Sequence, residues 1–187
     1  ICENGTDVYV RIIDYKTGKK DFNIVKTYYG IDIQLMVYME AAMKLVAKMR
    51  PGKNVIPAGV FYYNISDPIV SATTESAEEI EDKIKGELRL KGMVNSDKDI
   101  AEKMDNTEGT SLNIPVSRKA DGGFDSRRSK VMNTEQFNML GRFVDVRAID
   151  TADRIAGGDI RRSPYKDGQF SSCDRCPYGA VCGFSVD

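Results

Sequence analysis

Asp14 and Lys16 stand two positions apart in Ile12-Ile13-Asp14-Tyr15-Lys16-Thr17-Gly18, at the end of a strongly β-forming run. Side chains of a strand alternate faces, so the carboxylate and the ammonium project from one side and can share a small site. An acidic oxygen can hold a hard divalent cation while an amine steadies a water or a developing charge on phosphorus. Those are the two services that metal-assisted phosphodiester hydrolysis needs. The same pattern also describes an exposed ion pair or a strand-end turn.

A second set lies near the other end. Cys173, Cys176 and Cys182 form a C-x2-C-x5-C array. Three thiols so close suggest a zinc or iron–sulfur centre rather than core packing, and four cysteines in 187 residues are no disulfide scaffold. With no histidine in the chain, a fourth ligand would be Cys2, a carboxylate, an exogenous group or a residue outside this sequence. Cys2, beside Glu3-Asn4-Gly5, is more simply a strand-end residue.

Gln34 and Tyr38 complete the candidate chemistry. The segment from Ile31 to Arg50 repeats Leu35, Met39, Ala42, Met43, Val46 and Met49 near the helical period, which places Gln34 and Tyr38 on one face, four residues apart. They are either ordinary polar positions at a helix edge, or an amide and a phenol aimed at a bound strand or at Lys16.

The elements that must position these residues follow from periodicity and punctuation. A strand is expected from Thr6 to Asp14, the helix after Gly30, and a strand rich in Val, Phe and Tyr from Ile56 to Ile65. Glu75 to Glu87 predicts an exposed acidic helix with Ile80, Ile84 and Leu88 as a narrow apolar stripe. A turn from Leu90 to Val94 and a short helix from Ile100 to Met104 come next. A polar stretch from Asp105 to Asn113 and a basic segment follow, the latter holding Arg118, Lys119, Arg127, Arg128 and Lys130. Residues 105–130 are expected to be a flexible insertion. Their basic part suits either a solvated loop or a phosphate-contacting strip. A long helix is predicted from Asn133 or Thr134 to the stop at Gly157-Gly158. Strands alternating with long helices indicate one α/β domain with a mixed sheet.

Taken in order, Asp14-Tyr15-Lys16, Gly30 with Gln34 and Tyr38, and the three cysteines give a chain that resembles the RecB-type branch of the PD-(D/E)xK nucleases, the branch carrying an iron–sulfur staple. It is most similar to the C-terminal nuclease domain of the AddB/RexB component of AddAB-type (RexAB-type) helicase–nucleases. Tyr9 to Gly18, Gly30 to Tyr38, Ala58 to Tyr63, Asp67 to Val70 and the cysteine tail carry the likeness. The resemblance implies a restriction-endonuclease-like mixed central sheet flanked by helices, with a cysteine-rich C-terminal tail at residues 172–184. It further implies Mg2+ or Mn2+ held by Asp14 and an upstream carboxylate, the backbone carbonyl of Tyr15 as a further ligand, Lys16 on the attacking water, and Gln34 and Tyr38 orienting the lysine or DNA. The Tyr15 ring is expected in the core or against a neighbouring strand. Cys173, Cys176 and Cys182 would ligate a [4Fe-4S] cluster, and Arg161, Arg162, Pro164 and Tyr165 would lie near DNA or form a charged turn.

The family's first acidic ligand falls in a Gly-x-x-Asp-Arg-like motif before the Asp-x-Lys strand, and none precedes Asp14. The chain is therefore expected to be a fragment of a longer polypeptide, inactive alone, with the rest of its parent chain, an AddA/RexA-type helicase–nuclease subunit and DNA as partners. Expected activity is hydrolysis of the 5′-ended strand during double-strand-break repair. A Cas4-like stand-alone exonuclease, or a non-catalytic cluster or zinc module that binds DNA or a partner, are the alternatives. Composition suits a folded chain, 41% hydrophobic and 29% charged. No apolar run approaches the ~20 residues of a membrane span, and free thiols point to the cytoplasm. A net charge of −1, from 27 basic and 28 acidic residues, means that any DNA path must be local or supplied by partner domains.

Overall fold

The computed structural model describes residues 1–65, 76–168 and 170–184. The Asp67 to Val70 stretch and Glu75 lie outside the described residues. Two compact units divide the chain, Ile1–Val146 and Arg147–Asp187.

The first unit is built on a five-stranded mixed sheet with strand order β1-β2-β3-β4-β5. Its strands are β1 (Cys2–Asn4), β2 (Asp7–Lys16), β3 (Asn54–Asn64), β4 (Lys91–Asn95) and β5 (Val131–Met132). Strands β2 and β3 run parallel, and so do β4 and β5; the β1–β2 and β3–β4 pairs are antiparallel. A parallel pair needs a crossover, and α1 (Ile24–Tyr28) and α2 (Gln34–Met49) supply it between β2 and β3. The mixed α/β sheet flanked by helices is thus the expected architecture.

Alternation along β2 decides what each face does. Val8 and Val10, with Ile12 partly buried, pack with Val60 and Tyr62 of β3 against Leu35, Met36, Met39 and Val46 of α2. Asp14 and Lys16 continue that row past the end of the apolar contacts. The expected stripe is kept at Leu35, Met39 and Val46, with Ala42 and Met43 partly buried, but Met36 is also fully buried whereas Met49 is 55% exposed. β3 is central and buried on both faces from Pro57 to Tyr62. Its register with β2 slips between Val10 and Arg11, where Ala58 is the extra residue of a bulge beside Pro57, which has no N–H to donate. The buried amide of Asn95 seals this spot by donating to the Pro57 carbonyl at 2.7 Å and to Thr134 Oγ1 at 2.8 Å.

Leu90 to Val94 is not a turn but the strand β4. Gly92, which suggests a turn in sequence, is there because β4 crosses the β3 backbone closely: a Cβ would stand 1.9 Å from the Val60 carbonyl oxygen. The acidic helix is α3 (Ala77–Leu88), opened by a reciprocal cap between Ser76 and Glu79 and burying none of its residues. The short helix is α4 (Lys98–Met104). Residues 105–130 hold no long element, yet Ile114 and Val116 are buried with Phe61 and Val94. Asp105 anchors this loop by accepting from the Thr107 N–H and from the side chains of Ser111 and Asn113. Burial opposes its charge, but these hydrogen bonds prevail and hold the carboxyl well below the ordinary range. Arg118 spends its guanidinium on the carbonyls of Asp105 and Thr107, and Lys130 pairs with Asp21.

α5 (Thr134–Ala156) begins where expected, capped by reciprocal bonds between Asn133 and Gln136, and ends at Gly157-Gly158, with Gly158 at φ 73°. The division between the two units falls inside it. The second unit continues with a small hairpin, β6 (Lys166–Asp167) and β7 (Phe170–Ser171), a 3-10 turn over Ser172–Arg175 and a short helix α6 (Gly179–Cys182). Among the described residues no helix is long and apolar enough to cross a membrane.

Candidate active site

β2 runs two residues beyond its expected end, so Asp14 and Lys16 both lie in regular strand, opposite Tyr62 and Asn64 of β3. They share a face: Lys16 Nζ is 2.6 Å from Asp14 Oδ2, and their side chains keep 27% and 19% exposure. That oxygen is buried, and although it touches the ammonium it receives no well-aligned hydrogen bond. An anionic acceptor left in this state is poised for a further cation or donor.

Helix α2 starts at Gln34, so the first turn after Gly30 brings its side chain to the pair. Gly30 makes the entry possible with φ 78°, a left-handed conformation that costs a glycine little. Lys16 Nζ donates to Gln34 Oε1 at 2.9 Å, and Gln34 Nε2 donates to the Tyr38 hydroxyl at 2.8 Å. Gln34 and Tyr38 are therefore part of the lysine's support rather than idle edge positions. Tyr38 is 44% exposed, and because its oxygen accepts from Gln34, its own O–H is left to donate outward.

Tyr15, between the two charged residues, faces the other way. Its ring is 66% exposed and meets Tyr63 of β3 edge-on at 5.7 Å, so of the two expected settings it takes the neighbouring-strand contact and not the core. Its backbone carbonyl follows Asp14 directly in the chain. One carboxylate and one carbonyl suit Mg2+ or Mn2+, which complete their shells with water and phosphate oxygens. Asp14 Oδ2, buried beside the ammonium without an aligned hydrogen bond, is the donor such an ion would use, although among the described residues no three His, Cys, Asp or Glu side chains are grouped to hold a metal.

Periodicity missed four residues that underlie this pair. Tyr62, fully buried, presents its ring to Lys16 Nζ at 5.6 Å and to Lys20 Nζ at 5.4 Å from the centroid. Its hydroxyl donates to Asp32 Oδ1 at 3.1 Å. Burial, with the charge and hydrogen bond of Asp32, raises the Tyr62 phenol far above its usual range, so it stays neutral. Lys20 pairs with Asp32 at 2.8 Å, and Asn64 holds the Lys20 backbone. Lys20 and Asp32 belong to loops, where no period exists to reveal them. Tyr62 was open to inference from a parallel alignment of β3 with β2.

In the second unit, Cys173 sits in the 3-10 turn, the Cys176 N–H donates to the Cys173 carbonyl at 3.1 Å, and Cys182 closes α6. All three thiols are free, as is Cys2 on β1. Among the described residues no three His, Cys, Asp or Glu side chains are grouped to hold a metal. Arg161 pairs with Asp159 at 2.7 Å, while Arg162 donates to the Cys182 carbonyl at 2.5 Å and lies against the Phe184 ring.

A family model described as the PD-(D/E)XK nuclease superfamily matches residues 3–183. The chain is 36% identical, over an alignment of 189 positions that covers all of its 187 residues, to the B component of the ATP-dependent helicase/deoxyribonuclease of Thermoanaerobacter sp. (strain X514). It is 39% identical over 181 residues, 96% of its length, to the component of the same name from Clostridium botulinum (strain Hall / ATCC 3502 / NCTC 13319 / Type A). It spans 16% of the length of each of these relatives. With an acid–amine pair braced at the end of a central strand, and a family match running from β1 to the thiol tail, the chain belongs to the PD-(D/E)XK nuclease superfamily.

Proposed function

We propose that the chain is the deoxyribonuclease domain of the AddB/RexB-type component of a helicase–nuclease and hydrolyses DNA phosphodiesters at Asp14 and Lys16. The observation that carries the proposal is the 2.6 Å contact of Asp14 with Lys16, braced by Gln34 and Tyr38. A bare surface ion pair has no need of such bracing.

A divalent cation, when bound, polarises a phosphoryl oxygen and makes water more acidic. Asp14 and the Tyr15 carbonyl would hold it, together with a carboxylate supplied by the parent chain. Lys16 donates to the attacking water or to the oxygens on which charge develops. Water forms the new P–O bond, the ester P–O bond to the sugar breaks, and the leaving oxygen takes a proton. Gln34 fixes the ammonium so that little reorganisation remains at the moment of reaction. The outward O–H of Tyr38 reaches for a strand oxygen.

The names of the relatives, each the B component of an ATP-dependent helicase/deoxyribonuclease, favour a place in a helicase–nuclease complex, and the family likeness adds double-strand-break processing with an AddA/RexA-type partner and the rest of the parent chain. Attack on the 5′-ended strand and a cytoplasmic setting follow from the family likeness and the free thiols. The family likeness alone favours a [4Fe-4S] cluster at Cys173, Cys176 and Cys182, since their spacing suits zinc equally. DNA cleavage by the full-length parent protein and its D14N and K16A variants tests the proposal. Both variants are expected to lose cleavage, and a variant that cuts like the parent protein refutes it.

A further inference from the structure

Lys20 follows Thr17-Gly18-Lys19, the turn that leaves β2, where a lysine ordinarily serves solubility. Here it is held at three points. Its N–H donates to Asn64 Oδ1 at 3.1 Å, and its carbonyl accepts from Asn64 Nδ2 at 3.4 Å. Its ammonium lies 2.8 Å from Asp32 Oδ1. It also lies over the ring of Tyr62.

The holders are themselves fixed. Asn64 and Asp32 are both 7% exposed. Asp32 accepts the Tyr62 hydroxyl on its carboxylate and the hydroxyl of fully buried Thr27 on its carbonyl. A buried carboxylate, a buried amide and a buried phenol thus converge on one lysine whose side chain is still 39% exposed. Long flexible side chains lose substantial entropy when fixed, and a solubility lysine gains nothing in return.

What such bracing offers is a preoriented cation. An ammonium has three donors, and Asp32 takes one. Lys16 lies at the same Tyr62 ring with its own carboxylate, so two acid–amine pairs share one aromatic floor. A nucleic acid strand carries a phosphate at every nucleotide, and an amine set beside the one at the reacting phosphate meets a neighbouring phosphate.

We propose that Lys20 binds the DNA phosphate next to the one attacked, as a strand-positioning residue held by Asp32, Tyr62 and Asn64. The proposal rests on the nuclease function for the identity of the polyanion. Its test uses the full-length parent protein, with fluorescent oligo-dT binding followed across a salt series and steady-state cleavage measured in parallel. K20Q is expected to raise Kd and KM on the order of tenfold and to flatten the slope of log affinity on log salt by about 0.7, the share of one phosphate contact on a single strand. K20R should keep the slope. The double variant K20Q/D32N, which replaces the ion pair with an uncharged pair, should bind like K20Q while melting like the parent protein. An unchanged slope and KM in both K20Q and the double variant would overturn the proposal. So would a fall in kcat at unchanged slope, which assigns Lys20 to bracing Tyr62 alone. Cleavage by D14N at the parent rate defeats the nuclease function instead, while the salt slope still reports the phosphate contact.

Discussion

Gln34 joins the two halves of the site because its amide accepts from Lys16 through Oε1 and donates to Tyr38 through Nε2. Removing it leaves Lys16 tethered by Asp14 and the Tyr62 ring, and the ammonium then samples positions away from the reacting phosphate. Q34A should therefore lower the single-turnover rate of DNA cleavage by roughly 10- to 100-fold, the range typical of partners that orient a reacting group. Y38F removes the acceptor of Gln34 but keeps the ring, and its loss should be smaller. Q34A protein that cuts at the parent rate would show that the amide only packs. The Asp14, Lys16, Gln34 and Tyr38 set was legible because each member sits in an element with a period, two in a strand and four in a helix. Asp32 and Lys20 were not, because loop residues carry no such constraint and their partnership depends on Tyr62, a β3 residue of the buried core.

Among the elements, β3 sets the geometry of everything else. It pairs in parallel with β2 and so aligns Tyr62 beside Asp14 and Asn64 beside Lys16. Its other edge depends on Gly92 of β4, where added bulk meets backbone rather than a yielding side chain. G92A should destabilise the fold by about 2 kcal/mol or more, read as a lower melting temperature with cleavage lost in parallel as β3 loses its neighbour. A G92A protein that melts like the parent would mean that β4 is not seated on β3 as described. The sequence concealed this strand since a glycine in a short apolar run reads as a turn, and only the close approach of two backbones explains it. The strands β2 and β3 and the helices α2 and α5 were legible by contrast: alternation, the helical stripe and the Asn133 and Gly158 signals all agreed. That α2 buries Met36 and exposes Met49 reflects packing on β2 and β3, which periodicity within one helix does not register.

At the scale of the whole molecule, charge is nearly balanced, 27 basic against 28 acidic residues, so any attraction to DNA must come from placed cations such as Lys16 and Lys20 or from partner domains. Several other basic groups are already committed within the fold, Lys130 to Asp21 and Arg161 to Asp159. The three thiols of the second unit await a different measurement. If they take an iron–sulfur cluster, the full-length parent protein purified without oxygen should absorb broadly near ~400 nm, and C173S, C176S or C182S should abolish that band. A colourless protein that contains zinc would replace the cluster with a zinc site.

The central claim, that Asp14 and Lys16 are held together to cut DNA, is tested most directly by single-turnover cleavage of end-labelled DNA by the full-length parent protein with Mg2+ present. D14N and K16A should each reduce the rate by about 100-fold or more while the protein still binds the strand. Cleavage by either variant at the parent rate would contradict the account.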